Sequence, residues 1–278
     1  MLVSMISNLL KFNKMKYKFL VILLLLSIIT PWRTDAQKIR LFAHRGAWSK
    51  DSTKTFVIPE NSLAAVEQAA RLGYEGVEMD VKYTKDKKMV IMHDAKLNRT
   101  TRLKDGYRKL PGPVKVSDLT LRELRRHYVL VSSDPLHRER IPTLKEMLRA
   151  CKKHRLVPML HSSIYESYQM AQKIMGNGWI CFTNNLSMCK AAREISDCLI
   201  LYSISKGTPE ELAVTLKEIG GACGVSSMKY NLYTEDFIDR LKAGGFQIQA
   251  SVFPPQEEKD AIRNGVTIVL TDNIRTIK

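Results

Sequence analysis

Eight short runs of the kind that make buried strands recur along this chain, and stretches with helical spacing lie between them. The strand runs are residues 39–43, 76–81, 157–161, 179–183, 198–203, 224–227, 247–252 and 267–270, with residues 89–92 as an extra pairing segment after the second. Helical stretches fall near residues 62–72, 144–154, 166–175, 186–195, 208–219, 234–243 and 257–264. Several helix starts carry a capping box: Thr120 to Glu123, Thr143 to Glu146, and Thr208 to Glu211 with Pro209 at the first helical position. In such a box the hydroxyl and the carboxylate satisfy backbone donors at the helix entry. Strand, helix, strand repeated to eight predicts an α/β fold with a parallel sheet closed into a (β/α)8 TIM barrel. An open doubly wound sheet is the alternative, but no glycine-rich phosphate loop follows the first strand. Residues 95–140 break the rhythm and form a small insertion after the second strand region.

The first residues read as an address. Lys14, Lys16 and Lys18 precede the apolar run 19–30, which is short for a bilayer span and suits the core of a signal peptide. Thr34-Asp35-Ala36 then offers a small residue at a cleavage edge. Residues 1–36 are therefore expected to be a signal peptide and 37–278 a single domain, exported to the periplasm or secreted; an uncleaved anchor is the alternative. No stable membrane span is expected once the leader is removed. The chain carries a formal charge of +16 over 278 residues, and removing the leader's five cations and one anion leaves about +12. Such a field favours anionic ligands. Nucleic acid is not expected as a partner, because the cations are scattered among acids, as in Lys85-Asp86-Lys87-Lys88. Cys151, Cys181, Cys189, Cys198 and Cys223 form no CxxC pair; three of them lie in apolar stretches and read as core thiols, with one disulfide left open.

Four polar clusters punctuate the first third of the domain: His44-Arg45-Gly46, Pro59-Glu60-Asn61, Glu78-Met79-Asp80 and His93-Asp94. Each sits at or beside the end of an element. Glu78 and Asp80 stand at i and i+2 on a strand, so both carboxylates face the same way. Two acids among Val and Met side chains repel and lose hydration unless a cation or strong donors meet them. A hard divalent ion, Ca2+ or Mg2+, fits such oxygen ligands; a solvated strand edge is the alternative. As imidazoles, His44 and His93 suit an acid and base pair, while Arg45 can grip a phosphate through paired donors.

Taken together, the order H-R-G, P-E-N-S, E-x-D, H-D resembles the glycerophosphodiester phosphodiesterase family. The likeness continues through Asn98-Arg99-Thr100-Thr101, Leu119 to Leu124 and Ile141-Pro142-Thr143-Leu144, and returns in Gly265-Val266 and Thr271-Asp272. It implies metal-dependent hydrolysis of a small phosphodiester to an alcohol and glycerol 3-phosphate, through a cyclic phosphate formed by the glycerol's own hydroxyl. It also implies that residues 95–140 form a cap beside the catalytic mouth. In this reading His44 is the base and His93 the acid, Glu78, Asp80 and Glu60 belong to the metal site, and Arg45 and Asn61 bind substrate. For Glu60 and Asn61 a helix-capping role before Ser62 stays open beside that one.

The chain departs from the family after the third strand, where the resemblance calls for Glu-Ile-Lys and His161-Ser162-Ser163 stands instead. His161 is then the candidate third metal ligand, an imidazole being a poorer match for a hard ion than a carboxylate. Lys229 is the candidate replacement for the lost phosphate-binding cation. Near the seventh strand Phe253 stands for an expected aromatic pair. A related phosphodiesterase with altered metal or substrate, and a noncatalytic binder of phosphorylated ligands, are the two alternatives. Asn98-Arg99-Thr100 also matches a glycosylation acceptor.

Overall fold

The structure, a computed structural model, describes residues 39–272. The leader assigned to residues 1–36 lies outside them. Eight parallel strands form the barrel: β1 (Arg40–Ala43), β2 (Gly76–Tyr83), β3 (Val157–His161), β4 (Ile180–Thr183), β5 (Leu199–Ser203), β6 (Cys223–Ser227), β7 (Gln247–Ser251) and β8 (Ile268–Thr271). Each pairs with its neighbour in sequence, and β1 pairs with both β8 and β2, so the sheet closes. Helices α1 (Leu63–Arg71), α2 (Leu121–His127), α3 (Leu144–His154), α4 (Tyr165–Met175), α5 (Leu186–Ile195), α6 (Pro209–Ile219), α7 (Glu235–Ala243) and α8 (Pro255–Arg263) accompany them. The (β/α)8 expectation is met, and α2 belongs to the insertion. None of the described helices is long and apolar enough to cross a membrane.

Alternation along each strand divides the core into two shells. Phe42, Met159, Ile180, Phe182, Leu201, Ile268 and Leu270 fill the barrel interior. Val77, Met79, Leu160, Ile200, Val225, Ile248 and Val269 pack outward against the helices. Strand neighbours point to opposite faces, which is why the strands read as continuous apolar runs. Gly76 marks one tight place: a Cβ there would lie 2.1 Å from the Val157 carbonyl oxygen and 2.4 Å from the Phe42 ring. All five cysteines are free and buried, which answers the open disulfide.

Between β1 and α1 the chain makes a short antiparallel pairing, Ser49–Lys50 with Phe56–Ile58, to which sequence periodicity assigns no element. Met89–Ile91 pairs antiparallel to the far end of β2, as expected of the extra segment. The insertion then builds its own apolar cluster, with Leu97, Val116, Leu124 and Leu130 packed on Val90 and Met92, and a two-stranded ladder, Thr101–Leu103 with Tyr128–Leu130. Glu139 at its end caps α1, accepting from the backbone N–H groups of Leu63 (3.0 Å) and Ala64 (3.0 Å). The insertion is thereby fastened next to the C-terminal ends of β1 and β2.

Candidate active site

Because Val77, Met79 and Val81 of β2 face the helices, the intervening Glu78 and Asp80 face the barrel interior at the C-terminal end of the strand. Both are almost fully buried. The β2–β3 register sets Asp80 beside His161, whose Nδ1 lies 3.2 Å from Asp80 Oδ1 and 3.7 Å from Glu78 Oε1. Burial, then the charge of Asp80, pushes the Glu78 carboxyl well above the usual carboxylate range. Asp80 goes the other way: burial acts to raise it, but the hydrogen bond and charge of His161 and the Asn61 amide outweigh that and hold it at about 2. Two buried acids this close together make a setting that favours a cation. Glu78, Asp80 and His161 each offer one ligand atom within 4.8 Å of the others, a span that suits a divalent ion with bonds of about 2.3–2.6 Å. A buried Asn61 Oδ1 with no hydrogen-bond partner stands on the amide that donates to Asp80. The donor set fits a divalent cation.

Arg45 reaches this group through both backbone and side chain. Its backbone N–H donates to Glu78 Oε2 (3.0 Å), and its Nε stands 3.7 Å from Asp80 Oδ2. Glu60 stands outside the metal-ligand group, contrary to the sequence expectation. Its carboxylate accepts from Arg45 Nη1 at 3.3 and 3.4 Å and from Arg99 Nη1 and Nη2 at 2.8 and 2.6 Å. Nor does Glu60 or Asn61 cap α1. Ser62 does, accepting from the Ala65 N–H, while Asn61 donates from Nδ2 to Asp80 Oδ2 (3.0 Å). The amide of Asn61 therefore orients a carboxylate, where substrate contact was expected.

The two histidines share one arrangement. His44 follows β1 and its Nδ1 meets Asp272 Oδ1 at 2.8 Å; His93 follows the Met89–Ile91 strand and its Nδ1 meets Asp94 Oδ1 at 2.7 Å. Arg99 then grips Asp94 through Nε (2.7 Å) and Nη2 (3.0 Å), and this guanidinium, with help from His93, holds Asp94 at about 2. Asp94, Arg99 and Asp272 are the residues to which sequence reasoning gave no role. The signal for Asp272 was its place directly after the last strand, where a closed barrel returns to β1. Lys229 is exposed beyond β6, and its side chain pairs with none of these groups among the described residues. Phe253 is buried against Tyr230 and Tyr233, with ring centroids 5.6 and 5.4 Å away. Asn98 is committed on both sides of its amide, donating to the Gly112 carbonyl (2.6 Å) and accepting from the Val114 N–H (3.0 Å), so it serves the turn that carries Arg99.

Residues 44–276 match the model of the glycerophosphoryl diester phosphodiesterase family. Among curated relatives, glycerophosphodiester phosphodiesterase 1 of Mus musculus is 32% identical over 160 residues, covering 52% of this chain and 42% of that protein. The glycerophosphodiester phosphodiesterase of Caldanaerobacter subterraneus subsp. tengcongensis is 37% identical over 111 residues, 40% of this chain and 39% of that one. The matched stretch thus spans about two fifths of these relatives. Among solved structures, an Oleispira antarctica phosphodiesterase in complex with the product sn-glycerol-3-phosphate superposes with a TM-score of 0.68 at 22% identity, covering 84% of this chain and 93% of that one. The glycerophosphodiester phosphodiesterase of Thermotoga maritima gives 0.63 at 22% identity, with 85% and 95% covered. At that identity the structural likeness concerns the fold.

Proposed function

Because the chain belongs to the glycerophosphoryl diester phosphodiesterase family, we propose that it hydrolyses glycerophosphodiesters to an alcohol and glycerol 3-phosphate, with His44 and His93 as base and acid. The observation that carries this reading is the matched pair of imidazoles, each with Nδ1 engaged by an aspartate. An ionised carboxylate only accepts, so each Nδ1 bears the hydrogen and each Nε2 is left for the substrate. His44 Nε2 takes the proton from the glycerol hydroxyl that attacks phosphorus. His93, acting as the imidazolium with a proton on both nitrogens, gives its Nε2 proton to the oxygen of the departing alcohol, and the two exchange tasks as water opens the cyclic phosphate. Arg45 orients the phosphoryl group with the charge its two carboxylates leave available.

Glu78, Asp80 and His161 would hold a divalent cation, which when bound would supply positive charge against the nonbridging phosphate oxygens. Ca2+ or Mg2+ is the expectation from the two carboxylates. The sn-glycerol-3-phosphate held by the Oleispira protein supports a small phosphorylated glycerol as the product here. The mature chain acts outside the cytoplasm, a reading supported by the basic residues and apolar run of the leader.

One observation favours a second reading, a phosphodiesterase of this fold with a shifted ion or substrate: the third ligand is an imidazole that lies almost half exposed. A single assay separates the two. The mature protein is incubated with glycerophosphocholine and a series of divalent ions, and glycerol 3-phosphate is measured with and without chelator. Chelator-sensitive release supports the first reading. Turnover confined to other diesters supports the second, and tight binding of phosphorylated ligands without turnover of any diester defeats both.

A further inference from the structure

Arg99 opens the insertion and presents two edges of one guanidinium to two different carboxylates. One edge donates to Glu60 Oε2 (2.8 Å) and Oε1 (2.6 Å), the other to Asp94 Oδ2 (2.7 Å) and Oδ1 (3.0 Å). Glu60 is also the carboxylate that receives Arg45, at 3.3 and 3.4 Å. Asp94 is also the carboxylate that receives His93, at 2.7 Å. A continuous line of contacts therefore runs from Arg45 through Glu60, Arg99 and Asp94 to His93.

The turn that carries Arg99 is rigid by construction. Beside the Asn98 clamp, Thr101 Oγ1 donates to the Leu97 carbonyl (2.8 Å), as does the Thr101 backbone N–H (3.0 Å). Thr100 Oγ1 turns inward to Met92 Sδ (3.1 Å), and Leu97 itself is fully buried. Three side chains of one short motif thus fix the backbone, and the fourth is left to reach the site.

We propose that Arg99 is a positioning residue that sets the orientation of His93 and of Arg45 together, and so couples the proton donor for the leaving group to the guanidinium that holds the phosphate. The inference rests on the phosphodiesterase reading for its account of what those two residues do. The requirement is specific to arginine. A planar fork can meet two carboxylates bidentately, whereas an ammonium is a point charge that satisfies one or the other. Glu60 is 5% exposed, so with Arg99 gone its charge falls on Arg45 alone, and Arg45 is drawn away from phosphate. Asp94 loses the partner that fixes its plane, and the His93 ring loses its fixed hydrogen-bond direction. One loss acts on binding and the other on turnover.

The test uses the full mature chain with Arg99→Lys, Arg99→Met, Asp94→Asn and Glu60→Gln. With glycerophosphocholine as substrate, Asp94→Asn should lower kcat and Glu60→Gln should raise KM. Arg99→Met should do both, with a combined loss in kcat/KM of about 10²-fold. Adding Asp94→Asn to Arg99→Met should cost less than about twofold more in kcat, because the shared contact is already gone. A readout independent of turnover comes from 15N-histidine NMR. With the ring in its neutral form, His93 should show a single Nδ1–H tautomer in the parent protein, and mixed tautomers in Arg99→Lys, which keeps the charge, as well as in Arg99→Met.

A parent-like tautomer in Arg99→Lys, or kcat losses that simply add, would overturn the proposal. If the parent protein turns over no diester, the phosphodiesterase reading falls, and the tautomer measurement alone decides what Arg99 positions. Should Arg99→Met fail to fold by circular dichroism, Arg99→Lys carries both arms.

Discussion

Arg45 takes φ +60° and Asn61 φ +55°, both in the left-handed region, and both are in the site. Asparagine tolerates that region, but for an arginine it costs about 1–2 kcal/mol. The return is visible in the contacts: only with the chain turned in this way does the Arg45 N–H point at Glu78 while its carbonyl accepts from the Asn61 N–H (2.8 Å). Gly46 continues the same bend at φ +78°, where a Cβ would meet Ala65 Cβ at 2.7 Å. At this scale two predictions follow from chemistry. His44→Ala and His93→Ala should each lower turnover by about 10²-fold or more, measured as glycerol 3-phosphate release, and a near-normal rate in either variant removes that histidine from the mechanism. His161→Glu converts the mixed ligand set into three carboxylates. Titration calorimetry should then show tighter Ca2+ binding and a weaker preference for Mn2+ or Zn2+ than in the parent protein; unchanged selectivity would mean that His161 does not touch the ion.

Among the elements, the insertion is the one whose attachment decides the site, since it carries Arg99. Its own core is small, so polar ties to the barrel matter. Glu146, the capping-box residue of α3, also receives Arg125 (2.5 Å) and Arg140 (2.8 Å) from the insertion. Burial works to raise its carboxyl, but the Thr143 hydrogen bonds and the two arginines prevail and hold it below the usual 4.5. A depressed carboxyl contributes stability that is present above its unfolded value and lost as pH falls through the folded one. As the pH is taken downward from 4.5, amide exchange in residues 121–140, corrected for intrinsic rates, should therefore accelerate while the barrel strands stay protected. In Glu146→Gln that pH dependence should disappear. A uniform loss of protection across the barrel would show instead that the tie is not local.

For the whole molecule, closure is the property everything else depends on. Gly76 begins β2 where β1, β2 and β3 meet, and Gly76→Ala should destabilise the fold by about 3 kcal/mol through overpacking, seen as a fall in thermal midpoint of roughly 6–12 °C. A variant as stable as the parent would mean that the strands can part there at little cost. How far all this could be read beforehand depends on the range of the interaction. Strand alternation, capping boxes and the shared face of Glu78 and Asp80 are set by residues a few positions apart, so the linear order of the chain already contained the eight-fold repeat, the helix entries and the paired acids. Glu60 could not be assigned in the same way, because its arginine partners are 15 and 39 residues off, and the choice between metal, cap and guanidinium depends on which of them arrives. The pairing of His44 with Asp272 spans 228 residues and exists only because the eighth strand closes on the first. Local periodicity determined the elements and the face each acid presents; closure of the barrel decided which charges meet, because only there do distant residues come within hydrogen-bond reach and lose the water that would otherwise screen them.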